Sequence, residues 1–264
     1  SPSVNAIKDS NILLLGIDET PGSQRSDTIM VIHLDTTNKK VNIVSIPRDT
    51  LVVIPSVRLD KINHAYAFGG PELACTTTSH FLNVPVPYYI KINLSAVEKL
   101  VDRLGGVTVD IEKRMYYIDY AGGLTIDLKP GRQRITGKQA MEYLRYRHDA
   151  EGDIGRIRRQ QKFIQAIADE TSRSHNVAQI SSLIMDLINC VQTNLSPSQI
   201  MLISSQIKQS FEVGNIELTS IPGVETMIDN ISYLQPEMNQ VAAIAFKYLG
   251  KTDSGASIDI DKDK

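Results

Sequence analysis

Two cysteines in 264 residues, Cys75 and Cys190, are too few and too far apart for a cysteine-based zinc module or a dense disulfide scaffold. The sequence leaves open whether they form one bridge or remain separate buried thiols. No apolar run approaches the roughly 18 to 20 residues that a membrane-spanning helix needs. Residues 1–10 lack the pattern of a signal peptide, and no internal repeat or low-complexity block is present. The formal net charge is only −2, so the molecule as a whole has no electrostatic reason to seek nucleic acid or an anionic surface. Any anion site must therefore be local. Ordinary hydrophobic content with few aromatics bounds the chain to one sizeable core, and one large α/β domain is expected.

Asn11 to Asp18, a short apolar run between turn formers, predicts a strand buried on both faces with Asp18 at its C-terminal end. Glu19 to Ser26, containing Pro21 and Gly22, reads as a loop, and Thr28 to Leu34 resumes a β-branched run that Asp27 opens. After a polar turn at Asp35 to Lys40, Val41 to Ile46 gives a third strand that stops at Pro47, with Arg48 and Asp49 next. If these runs form an antiparallel meander, one edge collects Asp18, Arg25, Asp27 and Arg48. Lys39 and Lys40 fall at the opposite end.

Helical spacing recurs at Leu73 to Leu82 and at Leu94 to Leu104, the latter ending at Gly105-Gly106. Strands are predicted at Val107 to Ile111 and Leu124 to Leu128, before a Pro130-Gly131 turn. Thr136 with Gln139 forms a capping box for a helix reaching Arg145. Gly155 to Thr171 is the clearest helix, with an apolar stripe from Ile157 to Ala168 and with Arg156 and Gln160 spaced i, i+4 on another face. Val177 to Leu249 reads as amphipathic helices around one strand at Glu217 to Ile221, continuing the same domain. The whole is a mixed sheet covered by helices.

Two distant segments carry the same chemistry, the strand edge and the stretch from Arg145 to Arg156; both alternate arginine with aspartate. Guanidinium forks match phosphate oxygens two at a time and stay charged at physiological pH. Carboxylates beside phosphate need a cation between them, and the hard oxygens of Asp18 and Asp27 suit Mg²⁺ or Mn²⁺. Such a metal would neutralise charge developing in phosphoryl transfer. The competing reading is a set of surface ion pairs: Arg25 with Asp27, Arg145 or Arg147 with Asp149, and Arg156 with Asp153. The histidines show no metal-ligand spacing, Ser26 and Ser45 lack a nucleophile elbow, and Gly69-Gly70 and Gly105-Gly106 read as turns.

Taken in order, Leu15-Gly-Ile-Asp18, Arg25-Ser-Asp-Thr28, Ser45-Ile-Pro-Arg-Asp49, Asp60-Lys-Ile-Asn63, Ala65-Tyr66, Gly69-Gly70, Gly105-Gly-Val-Thr-Val109, Arg145-Tyr-Arg147, Gly155-Arg156 and Gln160 resemble the LytR-CpsA-Psr proteins of bacterial cell envelopes. The resemblance implies a catalytic domain over residues 11–250, preceded by a 1–10 linker after a membrane anchor and followed by a disordered 251–264 tail. It implies a central mixed, largely antiparallel sheet flanked by helices, with an apolar lipid pocket between them. The implied activity is extracytoplasmic: an anionic glycopolymer moves from an undecaprenyl-pyrophosphate carrier to a peptidoglycan hydroxyl, assisted by Mg²⁺. Asp18 and Asp27 would hold the metal and act in catalysis with Arg48 and Asp153. Arg25, Arg48, Arg145, Arg147 and Arg156 would contact the diphosphate, with Asp153 and Gln160 completing the pocket. A short loop between Asp18 and Arg25, and His148, depart from the family pattern.

In that mechanism the acceptor hydroxyl attacks the sugar-proximal phosphorus and polyprenyl phosphate leaves. Asp18, Asp27, Asp153 and the leaving phosphate all qualify as base. Two rival activities use the same residues: polyprenyl-pyrophosphate binding or hydrolysis, and nucleic-acid binding through Arg145 to Lys162. The absent recognition motif and the interleaved acidic residues count against the latter, so no nucleic-acid partner is expected.

Overall fold

The computed structural model describes residues 9–17, 26–119, 124–146, 152–173 and 191–250. Three antiparallel strands come first: β1 (Asn11–Ile17), β2 (Ser26–Asp35) and β3 (Lys40–Ser45). The hairpin β4 (Leu51–Ile54) and β5 (Arg58–Lys61) leads into α1 (Ile62–Leu82), β6 (Tyr88–Asn93) and α2 (Leu94–Arg103). Then follow β7 (Val107–Ile111), β8 (Met115–Asp119), β9 (Leu124–Leu128), β10 (Gly131–Ile135), α3 (Gly137–Arg145) and α4 (Gly152–Arg173). The rest comprises β11 (Val191–Thr193), α5 (Pro197–Glu212), β12 (Ile216–Ser220), the hairpin β13 (Gly223–Ile228) and β14 (Ile231–Pro236), and α6 (Met238–Tyr248).

Among the described residues the central sheet has six strands in the order β11-β6-β1-β2-β3-β12. Its pairings are antiparallel except β1 with β6 and β3 with β12, which makes it mixed and largely antiparallel, as expected. Helices cover both faces, so β1 is apolar on both. Leu13, Leu15 and Ile17 pack toward α1 and α6, while Ile12 and the partly buried Leu14 join Met30, Leu34 and Ile203 on the other face. A further core lies under α2, α3 and α4, against the β7–β10 and β8–β9 pairs.

The local signals act as their chemistry requires. Thr136 caps α3 and the reciprocal Gln139 contact is made, a complete capping box. Strand β3 ends at Ser45, before Pro47. Gly69 and Gly70 break α1 rather than separate two distant elements, with Gly70 at φ +67° ahead of Pro71. The segment after this break contains the predicted Leu73 to Leu82 helix, and an unpredicted helical segment precedes the break from Ile62. The C-terminal region is richer in strands than expected, with β11, β13 and β14 beside β12, the one strand that the sequence predicts there. Strands β13 and β14 are joined at Asp229 and Asn230, both left-handed (φ 49° and 63°), a turn that these residue types tolerate better than most. Cys75 is buried with its Sγ 3.7 Å from the Tyr88 carbonyl, and burial pushes its thiol up to about 12. Cys190 lies outside the described residues, as do residues 1–8 and 251–264 of the expected linker and tail.

The two faces of β1 should respond differently to truncation. Leu13 is fully buried in close-packed core, so Leu13→Ala is expected to cost about 2–5 kcal/mol. Leu14 borders an existing void of about 210 Å³ and forfeits fewer contacts. Leu14→Ala should sit at or below the lower end of that range, about 2 kcal/mol. Urea denaturation of the two variants checks the order, and equal losses would contradict it.

Candidate functional site

The register places the site. Ile17 pairs with Ser26 and Met30 with Ser45, so Asp27, the second residue of β2, and Arg48, just past the end of β3, lie at the same edge of the sheet. There Arg48 Nη1 donates to Asp27 Oδ1 at 2.7 Å. Arg48 is held from both sides, because its Nε lies 3.5 Å from Asp49 Oδ2 and Lys61 Nζ lies 2.8 Å from Asp49 Oδ1. Its backbone is pinned as well, with the Arg48 carbonyl accepting from the Asn63 amide and the Asp49 carbonyl from the Leu234 amide.

Helix α4 crosses this edge and brings the second arginine. Gln160 Nε2 donates to Thr28 Oγ1 at 2.7 Å, and Gln161 Nε2 reaches the Thr219 carbonyl at 3.0 Å and Ser45 Oγ at 3.3 Å. These bonds tie one turn of the helix to β2, β3 and β12. One turn closer to the N-terminus, Arg156 Nη1 lies 3.8 Å from Asp27 Oδ1, and Arg156 is only 3% exposed. Asp27 thus faces guanidiniums from two segments far apart in sequence.

Behind this polar mouth opens a cavity of about 210 Å³. Asp27, Thr28, Asn93, Arg145, Arg156 and Gln160 supply polar groups; Leu14, Met30, Ile92, Leu100, Phe163, Ile164, Ile167 and Phe211 supply apolar walls. Gly16 lines it too. A Cβ at Gly16 would come within 2.8 Å of Thr28 Cβ, so the bare glycine lets Thr28 sit where Gln160 can reach it. Asn93 ends β6 and caps α2, accepting from the Ala96 amide at 2.9 Å.

The Asp60-Lys-Ile-Asn63 segment buttresses the site from behind. Burial pushes the Asp60 carboxyl up, but His64 Nδ1 at 2.9 Å, the Lys61 amide and Arg58 outweigh it and hold the group below the usual carboxylate range.

Of the residues expected from sequence, Asp27, Arg48, Arg145, Arg156 and Gln160 meet here. Asp18, Arg25, Arg147, the His148 position and the loop after Asp18 lie outside the described residues, as does the side chain of Asp153, whose backbone is in the first turn of α4. Each of the pairs Arg25–Asp27, Arg145 or Arg147 with Asp149, and Arg156–Asp153 includes a residue or side chain outside the described ones. The ion pairs of Asp27 with Arg48 and Arg156 join distant segments across a partly buried cleft. Thr28 and Gly16 fall within motifs that carry the family resemblance, which gives neither a role of its own. Asn93 carried no signal, because β6 follows Pro85 and Pro87 and was not predicted.

Among the described residues no three His, Cys, Asp or Glu side chains cluster as a metal site. The donor set nevertheless fits magnesium, which keeps several waters and commonly binds through one or two carboxylates plus substrate phosphates. Asp27 is one such carboxylate, and Asp18 follows Ile17, the residue paired with Ser26.

A model described as the LytR_cpsA_psr family matches residues 2–248. The chain is 33% identical over 245 residues to the polyisoprenyl-teichoic acid–peptidoglycan teichoic acid transferase TagU of Bacillus subtilis, covering 92% of this chain and 78% of that protein. It is 38% identical over 193 residues to the regulatory protein MsrR of Staphylococcus aureus, covering 72% of this chain and 58% of that protein. A solved structure of TagT bound to LI-WTA is similar with a TM-score of 0.75 at 26% identity, covering 95% of this chain and 94% of that one.

Two outcomes test the site's construction. Gly16→Ala forces Thr28 aside and is expected to destabilise by about 1–3 kcal/mol; an unchanged urea midpoint would show that the contact is not tight. Asp60, with its carboxyl depressed, contributes stability that is fully present above the ordinary value of about 3.9 and lost as pH falls through its folded value. Denaturation midpoints should therefore drop steeply below about pH 4, and less steeply in Asp60→Asn.

Proposed function

Because this chain belongs to the LytR-CpsA-Psr family, we propose that it transfers an anionic glycopolymer, as a sugar phosphate, from an undecaprenyl-pyrophosphate carrier to a peptidoglycan hydroxyl at the outer face of the bacterial plasma membrane. The observation that carries the reading is the pairing of an arginine-rich mouth with an apolar cavity directly behind it. A lipid diphosphate has that polarity, charge at one end and hydrocarbon at the other. The name of TagU, a teichoic acid transferase acting between a polyisoprenyl carrier and peptidoglycan, supports the same class of reaction.

The donor's diphosphate would lie against Arg145 and Arg156, which line the cavity, and Arg48, which shares Asp27 with Arg156; their forks would bind and orient it, and its first isoprene units would fill the space beside Leu14, Ile164 and Ile167. The acceptor oxygen forms a new bond to the sugar-proximal phosphorus as the bond to polyprenyl phosphate breaks. Charge grows on the departing phosphate, and the guanidiniums already stand where it develops, in a cleft partly closed to water. Magnesium held by Asp18 and Asp27 would supply further neutralisation of the phosphoryl oxygens. Asp27 is engaged with Arg48 and Arg156. We therefore assign the hydroxyl proton to the departing phosphate oxygen.

A regulatory role through nucleic acid fits less well. Arg156, at 3% exposed, is turned into the cavity mouth, whereas phosphate-backbone contacts need arginines displayed on a surface. The membrane anchor expected ahead of the 1–10 linker belongs to the same proposal; among the described residues no helix is long and apolar enough to cross a membrane.

Purified protein supplied with a lipid-linked polymer and peptidoglycan should produce polymer-linked glycan, stopped by chelation and restored by Mg²⁺. Arg48→Ala and Asp27→Ala should each lower turnover by about a hundredfold or more. Unchanged turnover in both variants would sink the assignment. Phosphate release with no glycan-linked product would make the protein a pyrophosphatase instead.

A further inference from the structure

Helix α4 walls a second cavity that the proposed reaction leaves unused. It has a volume of about 270 Å³ and lies between α4 and the end of β7, with Tyr143 of α3 and Met115 among its lining. Gly155, Arg158, Arg159 and Lys162 line it from α4, whereas Arg156, Gln160, Phe163, Ile164 and Ile167 line the donor cavity. At 3.6 residues per turn the two sets are centred about a third of a turn apart, so the cavities flank one helix about 10 Å wide.

Its chemistry differs from that of the donor cavity. Four cationic side chains, Lys113, Arg158, Arg159 and Lys162, stand against two carboxylates, Asp110 and Glu112. Glu112 is paired with Lys162. Arg159 is 6% exposed; it donates to the Tyr146 carbonyl and its guanidinium lies 5.5 Å from the Tyr146 ring centre, so it is a fixed, buried cation. Tyr143 is 1% exposed, and burial pushes its phenol up to about 12, which keeps it a hydrogen-bond donor. The lining thus offers a cationic floor with a rim of both signs. That suits a ligand carrying carboxylates together with an amine, and suits a polymer with a phosphate on every unit less well, because Asp110 and Glu112 would oppose it.

We propose that this cavity is the acceptor subsite and binds the charged peptide stem of the peptidoglycan strand. The assignment rests on the transferase reading above. Three extended residues span about 10 Å, enough for a stem seated beside Arg158 and Arg159 to leave its sugar at the N-terminal turn of α4. The sugar hydroxyl then faces the diphosphate beside Arg156.

The test is a titration of the whole chain with a soluble disaccharide–tetrapeptide, followed by NMR. Binding is expected, with shifts at Tyr143 and Lys162, and should weaken at least tenfold in the double variant Lys113→Glu/Arg158→Glu. Both residues are exposed, so the fold should persist, as a thermal melt would verify. Binding of geranylgeranyl diphosphate should be unchanged in the same variant, and peptide-free glycan should bind wild type and variant alike. Absence of muropeptide binding to the wild type, or equal binding to both proteins, overturns the proposal. So does a variant that loses poly(glycerol phosphate) binding while keeping the muropeptide, since that would make the cavity a donor-polymer site. Muropeptide binding that depends on these residues in a protein without transferase activity would leave the cavity assigned and remove the reaction.

Discussion

Asp27 sits where β2 begins, beneath a guanidinium from the segment after β3 and another from the first turns of α4. Arg156 is almost completely enclosed, and a guanidinium cannot shed its charge to ease burial. An uncompensated cation there would be strongly destabilising, and two unpaired cations facing each other more so. The carboxylate is what allows both arginines to occupy one cleft. It also fixes them in place before any ligand arrives, so the proposed diphosphate would meet donors already oriented, with little free energy lost to ordering them.

The charged mouth owes part of its strength to what lies behind it. Apolar walls lower the local dielectric, and the same guanidinium–phosphate contact is worth more there than on a wet surface. Keeping that space open is a matter of close backbone packing: Gly16 lets Thr28 approach, Thr28 receives Gln160, and Gln161 ties the next position of the helix to β3 and β12. Binding chemistry and fold stability are thus carried by neighbouring residues of one helical turn.

How far the sequence predicted this depends on the range of the signal. The β1–β2–β3 meander, the capping box of α3 and the convergence of Asp27 with Arg48 were legible, because short apolar runs and their turns fix register locally. Arg156 and Gln160 could be placed on one helix face from their spacing, but only the family resemblance tied that face to the strand edge. Strand β6 went unseen, since a strand entered after Pro85 and Pro87 has no alternating pattern long enough to stand out, and Asn93 was lost with it. The cavity itself was beyond pattern reading. Its walls come from α2, α3, α4, α5 and three strands, and the spacing of Phe163, Ile164 and Ile167 looks the same whether the stripe meets a solid core or an open space.

The position of α4 bears on how two substrates find each other. In the proposed reaction one would be a membrane lipid and the other a cell-wall strand, neither of which diffuses freely, so turnover would depend on holding both at a set separation rather than on frequent encounter. A helix anchored through Gln160 and Gln161 is a rigid spacer, with an apolar cavity on one side and a charged one on the other. Its N-terminal turns, where the macrodipole is positive, contribute to both linings, and in the proposed reaction they would lie near the developing phosphoryl charge. Loops could bring the same residues together, but they would have to be ordered at each turnover; a single helix fixes the distance in advance.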